Sequence, residues 1–252
     1  MNDLCDRLFR GGNLGAQLKK RDGGTFFKNY LPYSDKVPYD LVVSAYSLFE
    51  VGNLDARSKM IDILWRKVAP GGILVLIEQG SNAGYELIIQ AREYLLHVIK
   101  QEVEYGDEGG YILAPCPHEK FCPRYFESKT PCVFPVKYHE LQIGDEKDRI
   151  GNENMSFIVF RRGINDLSNK HKWPRIVRGI YKKKGHSTVI TCTENGKLET
   201  FVSTKKRSGK ACYNVFKNCS YGDMLPIDIL KSGDVEEVDD LLCDDDDDDN
   251  IE

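Results

Sequence analysis

The chain has 252 residues, 41% of them hydrophobic, with a formal net charge of -4, enough apolar chain to bury a core in one large or two small domains. Its longest apolar run, 72–77, is strand length, far below the roughly eighteen residues that cross a bilayer, so no membrane contact is expected. The charge is segregated, with a net of +11 over residues 168–217 and -13 over 223–252, which points to a basic domain for a polyanion and a separate acidic tail.

The first ten residues, MNDLCDRLFR, carry Asp3 and Asp6 and no apolar stretch. They resemble neither a secretory signal nor an acid-poor mitochondrial presequence, so an import signal is expected upstream of this chain. Tyr39-Asp40-Leu41-Val42-Val43-Ser44-Ala45 is a β-branched apolar run suited to a strand buried in a parallel sheet. A helix should follow, with Asn53 as N-cap, Asp55 in its first turn and Met60, Ile61, Leu64, Trp65 and Val68 on one face, ending at Pro70-Gly71-Gly72. Residues 73–78 read as a second strand, and Ser81 or Asn82 can cap a helix carrying Leu87, Ile88, Ala91, Leu95 and Leu96 inward. This β-α-β-α order predicts half of a doubly wound α/β sheet over residues 1–105.

Residues 106–163 form a loop-rich, cysteine-bearing segment with a returning strand at 156–160. Residues 164–226 alternate polar and apolar side chains and hold Asn195-Gly196 between 188–193 and 198–203, a strong hairpin signal that predicts a small antiparallel β domain. Residues 227–252, ending in six consecutive aspartates at 244–249, self-repel and predict a disordered acidic tail.

Eight cysteines without a signal peptide are not naturally a disulfide framework. Cys116, Cys122 and Cys132 share one proline-rich stretch, and such soft thiolates select zinc, copper(I) or iron–sulfur clusters. Cys192, on the hairpin strand, is the best candidate for a fourth ligand, while His118 or His186 would complete a three-Cys, one-His zinc site. The wide gaps between thiols, unlike the tight pairs of structural zinc, tilt the choice towards a four-iron cluster. Cys5, Cys212, Cys219 and Cys243 read as small buried hydrophobes.

Five stretches carry a resemblance: Phe26-Phe27-Lys28-Asn29-Tyr30-Leu31-Pro32, the run from Asp40 to Leu48, Ala114-Pro115-Cys116-Pro117-His118-Glu119, Trp173-Pro174-Arg175 and Gly222-Asp223-Met224-Leu225-Pro226. Through them the chain resembles the mitochondrial methyltransferase-like protein 17 family, which includes the yeast small-subunit ribosomal homologue. The Ala-Pro-Cys-Pro-His-Glu string is the specific part. The resemblance implies a partial class I methyltransferase (Rossmann-like) sheet with a cysteine-rich cluster-binding loop. It also implies a 4Fe-4S cluster on Cys116, Cys122, Cys132 and Cys192, and action in the mitochondrial matrix on the small ribosomal subunit, its rRNA and its proteins.

The glycine-rich loop that holds S-adenosylmethionine in such enzymes has no counterpart here, since no apolar strand precedes Gly11-Gly12-Asn13-Leu14-Gly15. The chain matches a carboxy-terminal portion of the family, so neither S-adenosylmethionine binding nor catalysis is expected of it. Ser44, Ser47 and Glu78 would sit at strand ends where ligands of such sheets bind, although capping and solvation explain them equally. The expected function is therefore an rRNA-binding assembly and translation factor, with Lys182, Lys183, Lys184, Lys205, Lys206 and Arg207 on phosphates. The alternatives are an S-adenosylmethionine-dependent rRNA methyltransferase and a structural zinc-binding module.

Overall fold

The computed structural model describes residues 30–31, 38–126, 130–140, 149–165, 172–178, 180–183, 185–226 and the backbone of 236–237. The chain divides into two units, Met1–Val37 and Pro38–Glu252, and the described helices and strands all lie in the second.

Strand β1 (Tyr39–Ala45) pairs parallel to β2 (Val68–Gln79), and helix α1 (Leu54–Arg66) crosses between them. The Asn53 side chain accepts from the Ala56 N–H at 2.8 Å and Asp55 sits in the first turn, so the helix starts where its capping residues place it. It ends earlier than Pro70-Gly71-Gly72 suggests. The Tyr39 N–H donates to the Lys67 carbonyl at 2.7 Å, and Val68 pairs with Tyr39, so strand pairing takes the chain over before the prolyl turn is reached. Pro70-Gly71-Gly72 instead forms an irregular stretch of β2, with Gly71 at φ +78°.

Helix α2 (Asn82–Glu104) begins on Ser81, whose hydroxyl accepts from the Gly84 N–H at 3.1 Å. It buries Leu87, Ile88, Ala91 and Leu95 against the sheet, with Leu96 half-buried. Its inner face also buries Arg92 completely. The returning strand is longer than expected: β5 (Ile150–Arg162) lies antiparallel to β2. Two further strands, β3 (Gly110–Ala114) and β4 (Phe134–His139), pair antiparallel with the C-terminal and N-terminal parts of β5. The sheet, ordered β1-β2-β5-β3 with β4 also on β5, is thus mixed, with only β1 and β2 parallel. It suits a Rossmann-like α/β arrangement. Between β3 and β4 the chain leaves the sheet, and this excursion, 115–133, carries Cys116, Cys122 and Cys132 together with the short helix α3 (Pro123–Phe126).

The core centres on Trp65 and Phe160, which meet edge to face at 6.4 Å between β5 and α1. Phe160 is fully buried, so Phe160→Ala is expected to cost about 3–5 kcal/mol. Urea unfolding followed by circular dichroism reads this as a lower midpoint at unchanged slope.

A second, antiparallel sheet contains β6 (Arg175–Ile176), β7 (Tyr181–Lys183), β8 (His186–Cys192), β9 (Leu198–Thr204) and β10 (Glu236–Glu237). Asn195-Gly196 turns the β8–β9 hairpin, but in a longer loop than the minimal two-residue turn. Thr193 N–H donates to Lys197 carbonyl at 3.0 Å, Gly196 N–H donates to Thr193 carbonyl at 2.9 Å, and Gly196 adopts φ +74°. Helix α4 (Gly209–Asn218), which the strand-like alternation of this region hides, packs Cys212 and Phe216 beside Ile176, Val189 and Leu225. Residues 236–237 pair with Val202 and Phe201 where the acidic tail was expected to be disordered; the rest of 227–252 lies outside the described residues.

Candidate metal centre and basic edge

The excursion is held on three sides. From α2, the buried Arg92 donates through Nη2 to the carbonyls of His118 at 3.0 Å and Lys120 at 2.7 Å, and its Nη1 pairs with Glu93. From β5, Ser156 Oγ donates to the Cys132 carbonyl at 3.0 Å. From β6, Arg175 Nε donates to the Pro115 carbonyl at 2.7 Å, and its Nη1 to the Gly222 carbonyl at 2.8 Å. Within the excursion the Cys122 carbonyl accepts from the N–H groups of Tyr125 and Phe126, both at 3.2 Å, which sets α3 directly after the cysteine.

These anchors bring the four predicted cysteines to the wall of one cavity. Cys116, Cys122, Cys132 and Cys192 line it with Tyr85, Arg92 and Arg124, and its volume is about 30 Å³, above the roughly 10–15 Å³ that admits one water. Cys122 and Cys192 are buried, and Cys116 and Cys132 half-buried. Tyr85 Oη lies 3.2 Å from Cys122 Sγ, and His118 Nε2 lies 3.2 Å from Cys192 Sγ. Among the described residues no three His, Cys, Asp or Glu side chains converge on one point suited to a single metal ion; the thiols ring the cavity instead.

Electrostatics separate this site from an ordinary buried cysteine cluster. Burial, reinforced by the neighbouring cysteines, pushes the Cys192 and Cys132 thiols well above their usual range. Burial raises Cys116 as well, against the pull of Arg92. Positive charge close to a sulfur favours its thiolate form. Arg92, Arg124 and Arg175 supply it. Arg124 reaches across the excursion, donating through Nη1 to the carbonyl of Val177, just after β6, and through Nη2 to Thr130 Oγ1 at 3.0 Å. Burial lowers His118 to about 4, so it is a neutral imidazole beside Cys192.

The other sequence candidates separate cleanly. His186 begins β8 and Cys192 ends it, roughly 20 Å apart at strand rise, so of the two histidines only His118 is at the site. Cys212 and Cys219 belong to the core of the second sheet, where Cys219 Sγ donates to the Phe216 carbonyl at 3.0 Å. Cys5 and Cys243 lie outside the described residues. At the ends of β1 and β2, Ser44 and Ser47 hydrogen-bond each other at 2.8 Å, and the buried Glu78 accepts from the Leu48 N–H at 2.8 Å. These groups fasten the loop that follows β1.

Lys182 and Lys183 are exposed on β7, and Lys205, Lys206 and Arg207 are exposed just after β9. The register joins them: Lys183 pairs with His186, His186 pairs with Thr204, and the Lys205 N–H donates to the Gly185 carbonyl at 3.4 Å. The two basic runs therefore share one end of the sheet, at the opposite end of β8 from Cys192. Lys184 lies outside the described residues.

Sequence reasoning did not single out Arg92, Arg124, Arg175 or Tyr85. One signal was present: Ile88, Arg92 and Leu95 fall on one helical face at core spacing, and an arginine in such a row needs buried acceptors.

Comparison with known proteins gives a consistent match. A family model described as mitochondrial small ribosomal subunit Rsm22 matches residues 13–226. The mitochondrial ribosome assembly protein METTL17 of Homo sapiens is 34% identical, over 89% of this chain and 47% of its own length. The mitochondrial Rsm22-cox11 tandem protein 2 of Schizosaccharomyces pombe is 27% identical, over 79% of this chain and 30% of its own. The mitochondrial ribosome assembly protein RSM22 of Saccharomyces cerevisiae is 23% identical, over 83% and 47%. The chain spans about half the length, or less, of these curated relatives.

Proposed function

From the premise that this chain belongs to the mitochondrial small ribosomal subunit Rsm22 family, we propose that it acts in mitochondrial small-subunit assembly as an rRNA-binding factor carrying a 4Fe-4S cluster, without catalysing methyl transfer. Two of its relatives are named as mitochondrial ribosome assembly proteins. The observation that carries the cluster reading is the meeting of Cys116, Cys122, Cys132 and Cys192 around one cavity, although fifty-nine residues separate the last two. Four thiols are a donor set that iron–sulfur clusters take, and the nearby arginines suit an anionic group, so the residues present fit the cofactor.

Bound there, the cluster would supply cross-links between the 115–133 excursion and β8. Structural metal sites contribute on the order of 10 kcal/mol to folding, which would add to the packing of Cys122, Tyr125 and Cys132 against Tyr85 and Ile89. The protein's part is positional: Arg92, Ser156 and Arg175 hold the backbone beside the thiols through hydrogen bonds. The basic edge at the far end of β8 is left exposed for phosphates. Ser44, Ser47 and Glu78 are engaged in local structure, which favours the non-catalytic reading.

Anaerobic purification followed by metal analysis tests the reading. The expected result is brown protein with iron and acid-labile sulfide near four each per chain. Stoichiometric zinc without sulfide would replace the cluster by the structural zinc module.

A further inference from the structure

The second sheet has one face packed by α4 and one that is only partly covered. Ser187, Val189 and Ser203 are buried on the α4 side, where Ser187 Oγ donates to the Phe216 carbonyl at 3.2 Å. Along β8, His186, Thr188, Ile190 and Cys192 alternate to the other face. Ile190 and Cys192 are buried there, whereas His186 and Thr188, towards the basic end, are only half-buried.

The strand register extends this uncovered part over three strands. Tyr181 of β7 stands opposite Thr188, which stands opposite Val202 of β9; Lys183 stands opposite His186, which stands opposite Thr204. Cross-strand partners share a face, so these six residues form one surface. Tyr181 is 45% exposed and Lys183 is exposed, while Val202 and Thr204 are half-buried. Lys182 alternates to the α4 side, within electrostatic reach of Cys219. The surface therefore presents an aromatic ring among short side chains, with Lys183 on it and Lys205, Lys206 and Arg207 exposed just past Thr204. On its far side β9 pairs with β10, Glu236–Glu237, so phosphates are drawn to the β7 side and the 205–207 run.

Charge alone does not separate single-stranded from duplex RNA, but an exposed ring on a flat sheet does. Unpaired bases can lie against an aromatic side chain, whereas bases in a duplex are already stacked and offer a protein mainly phosphates, sugars and groove edges. Phe201, also on this sheet, is not available for stacking, because it packs into the second core.

Resting on the rRNA reading above, we propose that this face binds a single-stranded RNA segment, with one base stacked on Tyr181 and neighbouring phosphates on Lys183 and the 205–207 run. The half of the face that carries Cys192 and the half that carries Tyr181 then serve different ligands on one strand.

Filter binding of the full chain to a short oligouridylate and to a base-paired RNA stem tests this. Tyr181→Ala should weaken oligouridylate binding roughly tenfold at fixed salt and leave the salt slope unchanged. Tyr181→Phe, which keeps the ring, should bind as the unaltered chain does, and Lys183→Ala should lose about 0.7 of slope. Binding to the stem should not respond to Tyr181→Ala. Unchanged oligouridylate affinity in Tyr181→Ala, an equal loss in Tyr181→Phe, or the same loss on the stem overturns the stacking face and leaves the rRNA reading standing. An unaltered chain that binds neither RNA overturns the rRNA reading, and the face with it, in favour of a protein partner. A readout on the unaltered chain guards against misfolding of the variants: a 4-thiouridine oligomer should crosslink to the peptide holding Tyr181, and crosslinks confined to other peptides overturn the proposal.

Discussion

Cys192→Ser protein should emerge from anaerobic purification without its iron and sulfide, and with the 115–133 excursion open to trypsin at Lys120 and Arg124. Cys192 is the one thiol of the four supplied by the second sheet, so its loss removes the tie between β8 and the excursion. The stabilisation lost is that of a structural metal site, on the order of 10 kcal/mol at most. Cys116→Ser, Cys122→Ser and Cys132→Ser should behave alike, because a cubane missing one thiolate is exposed to solvent. Cys243→Ser should keep full iron. Full iron in Cys192→Ser would move the fourth ligand to His118, whose ring nitrogen already lies 3.2 Å from that sulfur; His186 is at the wrong end of the strand and Cys219 is committed to the second core.

The second large effect concerns RNA. Reversing Lys182, Lys183 and Lys184 to Glu changes the charge of the basic segment by six, from the net of +11 over 168–217. Each phosphate contact to a single strand contributes roughly 0.7 to the salt slope of binding, so the variant should lose about two units of slope and at least tenfold in affinity near 0.1 M salt. Filter binding to small-subunit rRNA across a salt series measures both. Iron content should be unchanged, since Lys182 and Lys183 lie at the far end of β8 from Cys192. An identical slope and affinity would remove this basic end from the proposed RNA interface and leave protein contacts as the route to the proposed ribosome association.

The parts of the fold legible in the sequence are those with strong local chemistry. Asn53 and Ser81 cap the two long helices, the apolar runs of β1 and β2 pair in parallel, and Asn195-Gly196 turns a hairpin. Boundaries fixed by distant partners were not legible. The end of α1 depends on Tyr39 capturing Lys67, and β3 and β4 exist because β5 offers them a pairing edge. Of the site, the thiols stand out because cysteine is rare and clustered, and the meeting of Cys192 with the other three follows the pattern carried by the family resemblance. The arginines did not stand out, because an isolated arginine in a sequence reads as surface. Only the fold shows that α2, α3 and β6 aim theirs inward.

The β8 strand has a mechanical consequence. It is paired along one side by β9 and on the other by β7 and β6, with Cys192 at one end and the basic end of the sheet at the other. A strand so paired resists bending. Over its length of about 20 Å, a tilt of about ten degrees at the cysteine end would move the lysine end by roughly 3–4 Å. A small change of seating at the thiols would therefore reach the basic end as a displacement of roughly the length of a hydrogen bond.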